Sequence, residues 1–138
     1  MSDVGAGGII LPAYTDGPVS AFTATLQFDY PRPPITSNQR LHWAHKAKLT
    51  RNVRDQTRLL ADRIPELRKC RVTLTWFVNT KTRRDADNIV PTLKAMCDGL
   101  VDAGVVPDDT PDQMDKLMPV IFYHKYAEPH MELRIEMI

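Results

Sequence analysis

The chain has few cysteines and no long apolar segment, and these two absences exclude several classes of protein. Its 138 residues include only Cys70 and Cys97, which form no CxxC pair. We therefore expect free, buried thiols in a reducing compartment rather than a disulfide framework. No apolar run approaches the ~20 residues that a membrane-spanning helix needs. The Gly- and Ala-rich start also lacks the basic region of a secretory signal, so we expect a cytoplasmic protein.

Zinc chemistry is poorly supported as well. His42 and His45 are three positions apart near a predicted helix start, a spacing that lets two ring nitrogens face one ion. No third ligand with suitable spacing accompanies them, although zinc sites take at least three protein ligands. Neither cysteine has a ligand cluster beside it. The histidines and cysteines therefore predict no metal site.

The net charge of +1 hides a strong segregation of charge along the chain. Residues 40–84 contain thirteen Lys or Arg and three acidic residues, whereas residues 85–115 contain eight aspartates and one cation, Lys94. A basic block followed by an acidic one is typical of a phosphate-binding surface that leads to a cation site. The alternative interpretation is a charged surface that only contacts solvent.

The composition, with 43% hydrophobic and 25% charged residues, is that of one globular domain. The hydrophobic periodicity predicts that this domain is of the α+β class. The predicted elements are a strand at 20–30, a helix at 42–63, a strand at 71–79, a helix that starts between 88 and 91, and a hairpin of strands at 120–126 and 131–137. The order β-α-β-α-β-β, with two main helices and a mixed β-sheet, assigns residues 19–138 to this domain. Residues 1–18 are rich in Gly and Pro and are expected to form a flexible N-terminal arm.

Two pairs of carboxylates give the strongest chemical signal. Asp85 and Asp87 follow a predicted strand, either at its carboxyl end or at the entry to the next helix, and in an extended chain they would share one face. Asp108 and Asp109 lie in a later turn that could return towards the first pair. Carboxylate oxygens are the ligands that Mg²⁺ prefers, so the pattern predicts a metal site for phosphate chemistry. The alternative for the later pair is a plain Asp-rich surface turn.

The helix after the first pair has two chemically different sides. Its apolar stripe consists of Ile89, Leu93, Met96 and Leu100. At about 100° per residue, Asp87 and Lys94 lie on the opposite side, where Lys94 stands two turns beyond Asp87 and can reach the same phosphate. Pro91 fits the first turn of this helix, and Gly104 is expected to end it in a left-handed conformation.

Several polar and basic side chains are expected to contact DNA. They are Asn38, Arg40, Lys46, Lys48, Arg51, Arg54, Arg58, Lys81, Arg83 and Arg84. Four of these fall within one arc of the predicted helix at 42–63, namely Lys48, Arg51, Arg54 and Arg58. This stripe either follows a phosphate backbone or is an ordinary exposed helix face. The loop at 36–40 either touches phosphates or caps itself. Trp43 either stacks on a base or packs against the protein.

Together, these motifs resemble the RusA family of Holliday junction resolvases, which is familiar from phages and prophages. The motifs are Arg83-Arg84-Asp85-Ala86-Asp87-Asn88, then Lys94, Asp98-Gly99-Leu100, Ala103-Gly104-Val105 and Asp108-Asp109. The resemblance covers most of the chain beyond the first 20 residues. The DxDN segment and the later DD are its specific parts, and their order and spacing carry it.

The resemblance implies a RusA-like fold and a set of active-site residues. Asp85, Asp87 and Asp109 match the metal-binding catalytic acids, and Lys94 matches the catalytic lysine. That lysine stands three residues later than in the family pattern, where Pro91 is nearest the expected position. The implied cofactor is Mg²⁺, with Mn²⁺ as a substitute. The implied activity is resolution of four-way DNA junctions by paired nicks that leave 5′-phosphate and 3′-hydroxyl ends.

A four-way junction has approximate two-fold symmetry and needs two matched cuts, so both this geometry and the resemblance lead us to expect a homodimer with one site per subunit. The cellular setting implied is a bacterial host, with the gene belonging to the bacterium, a phage or a prophage. Two other functions stay open. One is a non-catalytic DNA-binding or architectural phage protein, and the other is a metal-dependent nucleotide hydrolase.

Overall fold

The computed structural model describes residues 7–10 and 22–138, in which two helices and a six-stranded mixed sheet enclose one hydrophobic core. The elements are β1 Gly7–Ile10, β2 Thr23–Phe28, α1 Trp43–Leu60, β3 Cys70–Val78, α2 Val90–Asp102, β4 Met114–Lys116, β5 Val120–Tyr123 and β6 His130–Met137. A 3-10 turn, Ala86–Ile89, leads directly into α2. The predicted α+β class, with two main helices and a mixed sheet, is therefore confirmed.

The strands are ordered β1-β2-β6-β3, and both β4 and β5 pair with the remaining edge of β3. Pairing is antiparallel from β1 to β3, and parallel between β3 and each of the two short strands. The predicted hairpin between 120–126 and 131–137 is wrong, because β5 lies beside β3 and β6 lies between β2 and β3. Periodicity identified these strands but carried no information about their partners.

Burial explains why β6 takes the central position. Its inward side chains Met131, Leu133 and Ile135 are fully buried, so they need an apolar neighbour on each side. The strands β2 and β3 offer such neighbours in register, with Leu26 and Leu74 both opposite Leu133. The four-residue β5, by contrast, is largely exposed and cannot cover a strand of eight residues. The strands with the most apolar surface have therefore paired with one another.

Two strands were absent from the sequence-based prediction. Residues 7–10, inside the segment expected to be a flexible arm, pair with β2, whereas residues 1–6 and 11–18 of that arm lie outside the described residues. The three-residue β4 pairs with Cys70–Val72 at the start of β3. So short a strand shows no alternation that a sequence pattern can reveal.

The backbone of α2 at Gly99 lies directly against α1. A methyl group there would lie 2.5 Å from the carbonyl oxygen of Arg54 and 2.7 Å from Cβ of Thr57. Only glycine permits this approach, which fixes α2 against α1. At its end, α2 is closed by Gly104 with φ of 82°, as the sequence predicted.

The apolar stripe predicted for α2 is also confirmed, since its four members are all buried in the core. Both cysteines are free and buried, and burial raises the pKa of the Cys97 thiol to about 12. Both thiols are therefore protonated at neutral pH. Within the described part of the chain, no helix has the length and apolar composition needed to cross a bilayer.

Candidate active site

The first acid pair lies where β3 gives way to α2. Asp85 is extended, with φ of −107°, and immediately precedes the 3-10 turn, while Asp87 lies inside that turn. The amide of Asn88 donates to the carbonyl of Asp85 at 3.1 Å, which closes the turn. Of the two placements expected from the sequence, the structure shows the entry to the helix. The expectation that both carboxylates share one face held for an extended chain, and it does not apply to this turn.

Both carboxylates are open to solvent and play little part in holding the fold. The Asp85 side chain is 56% exposed, makes no hydrogen bond to the helix that follows, and has Arg83 Nε 4.0 Å away as its cationic neighbour. Asp87 is likewise exposed. Hard anionic oxygens without strong protein partners are suited to bind a divalent ion such as Mg²⁺. These two acids fit such an ion in chemical kind.

The second acid pair does return to α2, where Asp109 meets Lys94. Lys94 Nζ donates to Asp109 Oδ2 at 2.7 Å and to Asp98 Oδ1 at 2.8 Å. A second ammonium, that of Lys116, donates to the same Asp109 oxygen at 3.0 Å. Asp108 instead accepts from the amide of Asp109 and thereby closes its own turn. The two neighbouring aspartates thus have different surroundings.

These contacts shift the protonation of both partners. The hydrogen bond from Lys94, followed by the one from Lys116, lowers the pKa of the Asp109 carboxyl well below its usual range. Hydrogen bonds to Asp109 and then to Asp98 raise the pKa of Lys94. Lys94 is therefore a permanent ammonium at physiological pH, a source of positive charge and not a general base.

The structure does not join the three predicted metal ligands into one group. Within residues 7–10 and 22–138, no three His, Cys, Asp or Glu side chains are grouped closely enough to hold a metal ion. Asp109 is held by two lysines that already neutralise its charge, and Asp85 and Asp87 stand at the start of the same helix. His42 Nδ1 accepts from the amide of Ala44 and caps α1.

The segment before α1 is tied firmly to the start of α2. The buried hydroxyl of Thr92 accepts from the amide of Ile35 at 3.2 Å and donates to its carbonyl at 2.6 Å. The amide of Ser37 donates to the carbonyl of Asn88 at 3.1 Å. Sequence reasoning missed Thr92, although a threonine on an otherwise apolar helix face was the available signal. These bonds hold the polar loop at 36–40 beside the first acid pair.

A groove of about 300 Å³ lies between that loop and Asp85, and we call it the Asp85 groove. Arg84 is fixed along its wall. Its guanidinium donates to the carbonyls of Thr80 and Thr82 at 3.0 and 2.9 Å, and lies 5.0 Å from the centre of the Trp76 ring. An arginine held this way presents its charge to a ligand without first losing conformational freedom.

The other expected DNA contacts differ in how free they are. Arg54 makes a two-pronged bond to Asp102, with Nη2 to Oδ1 at 2.7 Å, and so joins α1 to α2. Asn38 accepts from the hydroxyl of Thr36 and Lys81 lies over the Tyr123 ring. The remaining basic residues expected to contact DNA are all exposed, namely Arg40, Lys46, Lys48, Arg51, Arg58 and Arg83.

Comparison with models of known protein families finds no match, and no curated protein sequence matches the chain.

Asparagine at position 109 is expected to weaken folding in a pH-dependent manner. Because the pKa of Asp109 is lower in the folded than in the unfolded chain, its stabilising effect is complete above about pH 4 and is lost as the pH falls through the folded pKa. Since Lys94 is half exposed, we expect Asp109→Asn to lower the free energy of unfolding by only about 1 kcal/mol near neutral pH. Urea titrations across the acid range measure the difference in the free energy of unfolding between the parent and Asp109→Asn. This difference should become smaller as the pH is lowered.

Asp108→Asn is the matched control, because among residues 7–10 and 22–138 that carboxylate accepts a hydrogen bond only from its own turn. A gap between Asp109→Asn and the parent that stays constant down to about pH 2 would contradict the assignment.

Proposed function

We propose that this protein is a Mg²⁺-dependent endonuclease that resolves four-way DNA junctions, in the manner of the RusA family that its motifs resemble. The observation that carries the proposal is the contact between Asp109 and Lys94. It brings the later acid, some twenty positions further along the chain, onto the helix that begins beside Asp85 and Asp87. This return is what the proposed site requires of Asp109.

The chemistry proposed is hydrolysis of a phosphodiester. Asp85, Asp87 and Asp109 would hold Mg²⁺, which when bound supplies an acidified water and positive charge for the phosphate. Lys94, like an ordinary lysine, is protonated at neutral pH and would stabilise negative charge on the phosphate oxygens. Two of its three N–H donors bind Asp98 and Asp109, and the third can donate to the substrate.

The surroundings of these residues suit a polyanionic substrate. The Asp85 groove presents a fixed arginine, Arg84, next to the acids, and α1 adds exposed cations along one side. A passive DNA-binding surface would be weakened by carboxylates placed beside its arginines, unless a cation intervened. We further propose a homodimer, since two symmetric cuts call for two equivalent sites. Mn²⁺ is expected to replace Mg²⁺.

One observation favours a rival, the non-catalytic DNA-binding protein. The three acids are not grouped around one position within the described residues, so a metal site would require Asp109 to leave its lysines. The nucleotide hydrolase is less well supported, because a small substrate gives no role to the cations of α1. Both rivals predict results that differ from those of a junction nuclease.

We expect the purified protein to bind a synthetic four-way junction without divalent metal, and to nick it only when Mg²⁺ or Mn²⁺ is added. Binding should be at least about tenfold tighter than to linear duplex of the same sequence. Gel electrophoresis measures both quantities, and ligation of the nicked products reports 5′-phosphate and 3′-hydroxyl ends. Junction binding with no nicking in either metal would support the architectural protein. Release of phosphate from free nucleotides, with no junction cleavage, would support the nucleotide hydrolase.

A further inference from the structure

The first two thirds of α1 carry an aromatic groove that the cleavage chemistry does not use. The indole of Trp43 is 76% exposed, which rules out the alternative that it packs in the core of this chain. Beside it a groove of about 450 Å³ follows the helix, and we call it the Trp43 groove. It is lined by Trp43, Lys46, Ala47, Thr50, Arg51 and Arg54. These positions recur at helical spacing, so they form one continuous face.

The shape of this groove suits a flat ring. Ala47 and Thr50 form a floor of small side chains between the indole and the arginines. The Thr50 hydroxyl donates back to the carbonyl of Lys46 at 2.8 Å, so it is turned towards the helix instead of the groove. From Trp43 to Arg54 the helix rises roughly 16 Å at 1.5 Å per residue. A planar group can therefore lie against the indole with chain continuing along the helix.

The indole is also held in place from behind. His42 caps α1 by accepting from the amide of Ala44, and its ring centre lies 5.5 Å from that of Trp43. The histidine is thus fixed by the helix end and supports one side of the tryptophan. An aromatic ring that is both exposed and restrained binds a partner with little loss of conformational freedom.

The charges around the groove favour an anionic ligand. Lys46 and Arg51 are exposed, and within the described residues neither forms an ion pair with a carboxylate. Arg54 is committed to Asp102, so its charge is largely compensated. The acidic residue of α1 is Asp55, which does not line the groove. Free cations next to an exposed aromatic ring are the combination found where proteins bind single-stranded nucleic acid.

We propose that the Trp43 groove binds an unpaired nucleobase of the DNA, with the base stacked on Trp43 and its flanking phosphates near Lys46 and Arg51. The proposal rests on the proposed function insofar as the substrate is DNA. Within a duplex both faces of each base are covered by neighbouring bases, so an indole can stack only where a base has left the helix. The centre of an opened junction supplies such bases.

The position of the groove fits this role. Trp43 follows Ser37 by six residues, and Ser37 donates its amide hydrogen to Asn88 beside the first acid pair. A short polar stretch of chain, residues 37–42, therefore connects the Trp43 groove with the candidate active site. Because the groove would bind an unpaired base, the protein would bind branched or frayed DNA more tightly than intact duplex.

The test is the affinity for a short oligothymidylate, measured by fluorescence anisotropy without divalent metal so that no cleavage occurs. Trp43→Ala should weaken binding by about tenfold, within the range that loss of one base-stacking contact produces. Trp43→Phe should retain most of the affinity because it keeps an aromatic face. The matched control is Tyr126→Ala, which removes an aromatic side chain that is 81% exposed and lies elsewhere. It should bind like the parent.

Two further measurements assign the effect to stacking. An oligonucleotide of equal length and charge but without bases should bind the parent as weakly as oligothymidylate binds Trp43→Ala, and should bind both proteins equally. The chain has two tryptophans. Trp76 lies in the Asp85 groove, so it can contribute a separate signal. Oligothymidylate should quench the fluorescence of the parent, and Trp43→Phe should lose the part of this quenching that comes from Trp43 although binding persists.

Equal affinity of parent and Trp43→Ala for oligothymidylate would overturn the proposal. So would an altered molar mass of Trp43→Ala in light scattering with no change in affinity, because the indole would then be part of a contact between copies of this chain. Failure of the proposed function is recognised separately. Junction cleavage in Mg²⁺ with unchanged affinity of Trp43→Ala rejects only the groove, and Trp43-dependent binding without cleavage rejects only the nuclease.

Discussion

Asparagine in place of Asp85 is expected to reduce the rate of junction cleavage by roughly 10²- to 10³-fold, the usual effect of losing one electrostatic contributor in an active site. The substitution removes a negative oxygen from the proposed Mg²⁺ site while nearly preserving shape. Because Asp85 makes no hydrogen bond to the turn that follows, the fold should not depend on it. Single-turnover nicking of a labelled junction, with Mg²⁺ saturating, measures the effect.

The control for this experiment is Asp62→Asn, which makes the same chemical change at an exposed position just after α1. Without metal, junction affinity should be unchanged in Asp62→Asn and equal to or higher than that of the parent in Asp85→Asn, because this substitution removes a negative charge from beside Arg83 and Arg84. A cleavage rate of Asp85→Asn within about threefold of the parent would show that this carboxylate does not hold the ion.

Asparagine at position 109 should reduce cleavage by about 10²-fold or more, whereas asparagine at position 108 should leave the rate within a few-fold of the parent. The two positions are adjacent, so a change in the local backbone would affect both. They differ in contacts, because Asp109 meets Lys94 and Lys116 while Asp108 accepts only from its own turn. Initial rates of nicking for the two variants and the parent decide the matter.

The small loss of stability expected for Asp109→Asn cannot by itself explain such a loss of activity, because about 1 kcal/mol leaves a folded domain folded. Melting curves should confirm that both variants are folded at the assay temperature. If Asp109→Asn and Asp108→Asn cleave at the same rate, the contact with Lys94 is a surface ion pair with no part in catalysis.

Local pattern was sufficient to predict most of the elements. The alternation of Ala24, Leu26 and Phe28 predicted β2, and the spacing of Ile89 to Leu100 predicted the buried side of α2. The pairing of strands was not predictable in the same way. Whether β6 pairs with its neighbour in sequence or with two distant strands depends on how much apolar surface each partner offers, which is a property of the whole sheet.

For the candidate site too, local features were predictable from the sequence, whereas contacts between distant residues were not. The sequence left two places open for Asp85 and Asp87, the carboxyl end of a strand or the entry to the next helix, and raised the possibility that the later acids return towards them. It did not indicate Lys116, which reaches Asp109 because β4 pairs with the start of β3 and places Lys116 opposite Val72. A lysine on a strand of three residues carries no local signal that it faces an acid.

The central position of β6 constrains how this chain folds during synthesis. A nascent chain that has emerged only as far as Tyr123 lacks the strand that joins β2 to β3, so each of these exposes an unpaired edge. Both halves of the sheet must wait for residues 130–137 before they can close. Helix α2 rests on that sheet, so the acids on either side of it gain their fixed geometry only after translation has passed this point. We therefore expect slow, late folding governed by contacts between distant parts of the chain, and a need for protection from aggregation on the ribosome.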